Sequence, residues 1–177
     1  KQRLWYIRAK EVIISSGSIE RPLVFGNNDT PGVMLSSAAK EYLKIYGVLV
    51  GKKPLVFTNN DSGYETAIEF KKNGIDPIIL DTRKDPNSEI IQEAKDLNIN
   101  IKTSYVVVAA KGYKKVNSAD IAKLSDDKKN VSNIENIKCD CICVSGFWTP
   151  TIHLASQSGN KTKFNEEIDA FIQSKSK

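Results

Sequence analysis

The alternation of short apolar runs with amphipathic stretches between residues 54 and 110 constrains the fold of this chain more than any other feature. PLVFT (54–58) is the compact kind of apolar run that fills a parallel sheet covered on both faces. Tyr64, Ala67, Ile68 and Phe70 follow at helical spacing and end at Asn73–Gly74, a left-handed cap. PIIL (77–80) gives a second buried strand, closed by Asp81. Asn87 is placed to cap a second helix that turns Ile90, Ile91, Ala94 and Leu97 inward, and IKTSYVVVAA (101–110) supplies a third strand. Strand, helix, strand, helix, strand in about sixty residues is half of a doubly wound parallel sheet.

The flanks carry weaker signals. RLWYI (3–7) and AKEVIISS (9–16) read as two short strands ending at Gly17, and a turn-rich stretch follows to Gly32. Leu35, Ala38, Ala39, Tyr42, Leu43 and Tyr46 then mark one face of a helix stopped by Gly47. Beyond Gly112, KVNSADIAKL (115–124) alternates as a returning antiparallel hairpin, and 125–138 is polar and loop-like. CDCICVSG (139–146) is a strong strand, TIHLASQSG (151–159) a short helix, and the tail beyond Lys161 carries little signal.

The net charge of +5 comes from lysines spread among acidic residues, and pairs such as Lys114–Lys115 and Lys128–Lys129 sit in polar stretches. Without a basic face interleaved with stacking aromatics, this pattern argues against a nucleic-acid partner. No apolar run approaches the ~18 residues of a membrane span, and the charged start is unlike a signal peptide, so a cytoplasmic location is expected. The start without Met, almost directly on a strand-like segment, suggests a piece of a longer polypeptide. On one strand Cys139, Cys141 and Cys143 would share a face, poorly placed for disulfides with one another. Their odd number and the missing C-x-x-C turn favour a reducing compartment and buried thiols over a metal site.

In a dinucleotide-binding module the first strand runs into G-x-G-x-x-G, where the glycines permit a tight turn, backbone approach to pyrophosphate and close helix packing. VFTNNDSGYETA (56–67) has Thr58, Asn60 and Gly63 at those places, so only the packing glycine survives. Asn60 would fill space meant for pyrophosphate, Asp61 adds negative charge beside it, and Asp81 falls where an acid would take a ribose hydroxyl. Two readings follow: a modified site using Asn59, Asn60 and Ser62 as donors, or a scaffold whose Asn59–Asp61 segment caps the next helix.

IRAKEVIISSGSIERPLVFGNNDTPGVM (7–34) looks like the closing strand of a domain in the pyridine nucleotide–disulfide reductase superfamily, with Ser15–Ser16–Gly17 standing for the usual Ala-Thr-Gly. More narrowly, ERPLVFGNNDTPGVML (20–35), VFTNNDSGYETA (56–67) and VSGFWTPTIHLASQSG (144–159) together resemble the alpha subunit of heterotetrameric sarcosine oxidase. The resemblance implies an α/β, FAD/NAD(P)-binding Rossmann-like fold, with a parallel sheet and a β-hairpin layer. Residues 1–50 would end a first FAD/NAD-type domain and add a connecting helix. Residues 51–138 would form an inserted second nucleotide-type module, and 139–177 a return strand, turn and helix of the first domain. It further implies oxidative demethylation of sarcosine to glycine, with hydrogen peroxide and methylenetetrahydrofolate as products. NAD would sit on alpha, FAD and FMN elsewhere in the complex, and tetrahydrofolate in a domain outside these residues. The partners would be a beta subunit and smaller subunits. By the family's pattern Ser16, Gly17, Ser18, Gly146 and Phe147 would line the nucleotide, with no catalytic residue here and the isolated piece inactive. Trp148 and His153 are expected to serve packing. The alternatives are a non-catalytic subunit-interaction scaffold, a related flavin-dependent amino-acid or opine dehydrogenase or cyanide synthase subunit, and a stand-alone NAD(P)-dependent reductase, which Asn60, Asp61 and the lack of a redox C-x-x-C disfavour.

Overall fold

A computed structural model describes residues 2–132 and 134–174, and its contacts divide the chain into two compact units. One spans Glu20–Phe147; the other joins the segment ending at Ile19 to the segment beginning at Trp148. In chain order the elements are β1 (Ser18–Glu20), β2 (Val33–Leu35), α1 (Ser36–Tyr46), β3 (Pro54–Thr58), α2 (Ser62–Lys72), β4 (Ile78–Asp81), α3 (Glu89–Asp96) and β5 (Asn100–Thr103). There follow β6 (Tyr105–Lys111), β7 (Ser118–Lys123), β8 (Glu135–Ile137), β9 (Cys141–Ser145), β10 (Trp148–Pro150), α4 (His153–Gln157), β11 (Thr162–Asn165) and β12 (Ala170–Gln173).

The larger unit is a three-layer α/β/β sandwich. A parallel sheet of order β2-β9-β3-β4-β5 forms the middle. Alternate side chains along its strands face opposite layers. Val56, Ile79, Cys141 and Cys143 pack with Ala39 of α1, Tyr64, Ala67 and Phe70 of α2, and Ile91 of α3. Leu55, Phe57, Leu80, Ile142 and Val144 pack instead with Val107, Ile121 and Phe25, against the antiparallel meander β6-β7-β8. Each large apolar side chain enclosed this way contributes roughly 1.5–3 kcal/mol. The strand 141–145 pairs with β2 on one side and β3 on the other. The smaller unit holds β1 paired with β10, the five-residue α4, and the antiparallel hairpin β11–β12 with Phe164 edge-on to Phe171.

Several expectations need correction. Residues 3–16 form no strand: Leu4, Tyr6, Ile7 and Ile13 are 81–92% exposed, and an extended segment with no neighbour to take its N–H and C=O groups has no ladder to join. The expected third strand is two, because Ser104 at φ 57° breaks it; β5 ends the parallel sheet and β6 opens the meander. Cys139 precedes β9 and packs on the meander side, whereas Cys141 and Cys143 share the helix-facing side. Helix α3 takes Ser88, not Asn87, as its N-cap, and no side chain caps it. Part of 125–138 is strand β8, and the tail forms β11 and β12. Helix α1 buries Ala39 but leaves Tyr42 and Tyr46 largely exposed, and it stops where Gly47 enters the left-handed region, with Gly47 and Val48 N–H groups donating to Leu43 and Tyr42 carbonyls.

Candidate functional site

Parallel α/β sheets bind ligands outside the carboxyl ends of their strands. In the larger unit those ends are Leu35, Ser145, Thr58, Asp81 and Thr103, and the side chains gathered around Thr58, Asp81 and Ser145 form the candidate site.

The β3–α2 loop is bound to its surroundings at almost every polar atom. Asn60 Nδ2 donates to the carbonyls of Gly146 and Ser145 and to Asn59 Oδ1, while Asn60 Oδ1 accepts the Ser62 N–H at 2.8 Å. The Asn60 N–H donates to Thr58 Oγ1 at 3.1 Å, and the Asn59 N–H to the Ser145 carbonyl at 3.3 Å. Gly63 keeps the packing role expected of the third motif glycine: a Cβ there would lie 2.6 Å from Thr58 Cβ. Helix α2 begins after Asp61, which makes no side-chain cap bond, so the turn is held by Asn60 instead.

Asp81 is fully buried at the end of β4. It accepts the Tyr64 hydroxyl at 2.8 Å, the Arg83 N–H at 2.9 Å and the Arg83 guanidinium at 2.8 Å. Arg83 Nη1 also lies 2.8 Å from Asp61 Oδ1, so one cation bridges two carboxylates. Burial works to lower the Arg83 pKa, but hydrogen bonds to Asp81 and Asp61 raise it overall. Burial, then the Asp81 charge, pushes the Tyr64 phenol well above its ordinary range. The sequence pointed to Asn60, Asp61 and Asp81 but missed Arg83 and Tyr64; the Asp-x-Arg spacing at 81–83 was the available signal. Glu20, also missed, sits 5% exposed and accepts the Ser37 N–H and hydroxyl at the start of α1.

Gly146 and Phe147 follow β9 in the same unit. A Cβ on Gly146 would stand 2.1 Å from the Arg21 carbonyl oxygen, and the Arg21 N–H donates to the Phe147 carbonyl at 2.7 Å. The crossing of residues 21–22 therefore demands a glycine there without any ligand. Phe147 is 38% exposed with the Arg21 guanidinium 5.6 Å from its ring centre. Ser16, Gly17 and Ser18 belong to the smaller unit, where Ser16 Oγ donates to the Thr151 carbonyl at 2.6 Å and the Thr151 N–H to the Gly17 carbonyl at 2.9 Å. Gly17 adopts φ +64°, and open space surrounds the place a Cβ would take. A bare backbone beside open space fits the close approach of a nucleotide; the Asn60 loop, which offers neither, does not fit one.

A cleft of about 840 Å³ opens beside α3 and β5, with Lys84, Asn87, Ile91 and Lys95 among its walls. Among the described residues no group of three or more His, Cys, Asp or Glu side chains could hold a metal, and no helix is long and apolar enough to cross a membrane.

Comparison with known proteins adds the following. No family model matches the chain. It is 33% identical over 174 residues, 97% of its length, to the sarcosine oxidase subunit alpha of Corynebacterium sp. (strain U-96), and 35% identical over 172 residues to that of Rhizobium meliloti (strain 1021). It spans only 18% and 16% of those relatives. Among solved structures, T. acidophilum thioredoxin reductase superposes with a TM-score of 0.62 at 17% identity, covering 83% of this chain and 47% of that one. The fold is thus the FAD/NAD(P)-binding, Rossmann-like one.

Proposed function

We propose, from the premise that this chain resembles along 97% of its length one segment of the sarcosine oxidase alpha subunits, that it serves as nucleotide-fold scaffold in the alpha subunit of such an oxidase. The reaction would be the oxidative demethylation of sarcosine to glycine, giving hydrogen peroxide and passing the one-carbon unit to tetrahydrofolate. The observation that carries the proposal is the match over 97% of the chain, which runs through both units at 33–35% identity.

In this reading the catalytic work belongs elsewhere in a hetero-oligomer with a beta subunit and smaller subunits. A flavin, FAD or FMN, when bound there, accepts the electron pair removed from the amine. This chain holds NAD, with Ser16, Gly17 and Ser18 as its backbone contacts; the family's pattern adds Gly146 and Phe147 to the assignment. Gly17 supports the first group, since its conformation and the space around it leave its backbone open. Gly146 and Phe147 have weaker support, because Arg21 already accounts for the glycine. The compartment would be the cytoplasm, in keeping with its three unpaired thiols.

The test is to purify the complete polypeptide with its partner subunits, release bound cofactors with acid, identify them by mass spectrometry, and follow oxygen uptake with sarcosine. NAD together with flavins, and peroxide formed from sarcosine, would support the proposal. Turnover of another amine in place of sarcosine would move the assignment to a related amino-acid or opine dehydrogenase. Flavins without NAD would leave this segment as a scaffold between subunits.

A further inference from the structure

The larger unit contains a second place where its fold would be expected to bind a dinucleotide: the crevice over the carboxyl ends of β3 and β4. Three things make such a crevice work: free backbone N–H groups for the pyrophosphate, no side chain between them and the ligand, and an acid free to take the ribose hydroxyls.

The first is largely withdrawn here, and the other two are missing. The N–H groups of Asn59, Asn60 and Ser62 are spent on the Ser145 carbonyl, Thr58 Oγ1 and Asn60 Oδ1. The Asn60 side chain spans the gap to the Gly146 and Ser145 carbonyls at the end of β9, so an amide stands between loop and neighbouring strand. Asp81, the ribose acid by position, is fully buried under Tyr64 and Arg83. Asp61 brings negative charge to the pyrophosphate position, and Arg83, the cation that could have met a phosphate, is held 2.8 Å from it.

We propose that this crevice is filled by the chain's own side chains, with Asn60, Asp61 and Arg83 as the residues that make it refuse a dinucleotide. The Asn60 amide takes the space of the phosphates, and the carboxylate of Asp61 takes their charge on Arg83. The module becomes a fixed joint between β3, β4 and β9. The inference concerns residues distant in sequence from Ser16–Ser18 and stands whether or not that segment holds NAD.

Photolabelling separates the two. The complete protein with its partners is irradiated with an azidoadenine analogue of NAD, with excess NAD as competitor, and labelled peptides are mapped by mass spectrometry. The expected result is no competable label within residues 52–103 of the natural protein. The double variant Asn60→Gly/Asp61→Gly, which clears the loop and releases the Arg83 Nη1 that Asp61 holds while Asp81 keeps the rest of the guanidinium, should label in that region at least tenfold above the natural protein. Asn60→Ser/Asp61→Ser, which keeps a short acceptor for the Ser62 N–H and so protects the turn, should behave alike. Competable label on 52–103 in the natural protein overturns the inference, and so does the absence of label there in a folded double variant. Label near residues 16–18 bears only on the NAD assignment, and its absence sinks that assignment alone.

Discussion

Tyr64 and Asp81 join α2 to β4 by a hydrogen bond with both side chains enclosed, and the consequences of cutting it are asymmetric. Tyr64→Phe removes one donor from a carboxylate that still has Arg83, and we expect a loss of about 1.5–3 kcal/mol, the usual worth of a hydrogen bond to a charged group. Asp81→Ala leaves a buried phenol without its acceptor and the guanidinium with Asp61 alone, and the expected loss is about 3–5 kcal/mol. Urea unfolding of the two variants should give that order, and an equal loss would show that the Arg83 contact contributes little. The thiols add a pH dependence. Burial pushes Cys139 up to about 12, and the contact with Cys141, then burial, raises Cys143 well above its ordinary value. A raised folded pKa gives stability that is complete below the unfolded thiol value of about 8.5 and is lost as pH rises towards the folded one. The melting temperature should therefore fall progressively from about pH 8.5 upwards. Near neutral pH these thiols should react with a disulfide reagent only after unfolding. At this scale the sequence marked the loop correctly, since Asn60 in place of a glycine is visible at once. For Arg83 the spacing to Asp81 was a local signal, but its second pairing, with Asp61 across the ends of β3 and β4, leaves no mark in spacing.

Helix α2 lies close against β3 because Gly63 has no side chain. Gly63→Ala places a methyl 2.6 Å from Thr58 Cβ and 2.7 Å from Thr58 Oγ1, so helix or strand must move. Overpacking of this kind costs typically 1–3 kcal/mol, and a shifted midpoint with unchanged denaturant slope is the expected signature. Elements of this sheet were readable because burial on both faces writes continuous apolar runs at 54–58, 77–80 and 141–145. The same rule failed at 3–16, where RLWYI and AKEVII have strand-like composition but no strand beside them. It failed again at β11–β12, whose four-residue strands are too short to stand out. The break at Ser104 escaped notice because a serine at positive φ leaves no mark in composition.

At the scale of the molecule, the core of the larger unit is assembled wholly from residues between Phe25 and Val144. The segment before Ile19 instead exposes Trp5, Tyr6, Val12 and Ile13 by 73–92%. Brief proteolysis should remove this segment first and leave a product close to residues 20–147, identified by intact mass. Early cleavage inside β3–β5 would contradict the division into two units. So many large apolar side chains in water also predict concentration-dependent association of the chain alone, measurable by light scattering.

The crossing of residues 21–22 over Gly146 bears on ancestry as much as on packing. A motif is usually read as a record of what a lineage still binds. Gly146 and Gly63 are each required by a neighbour inside the protein, so neither position is released to drift when a ligand is abandoned. Such glycines are required by packing whether or not anything binds beside them. What the crevice can accept is better sought at positions 60 and 61, whose side chains occupy it.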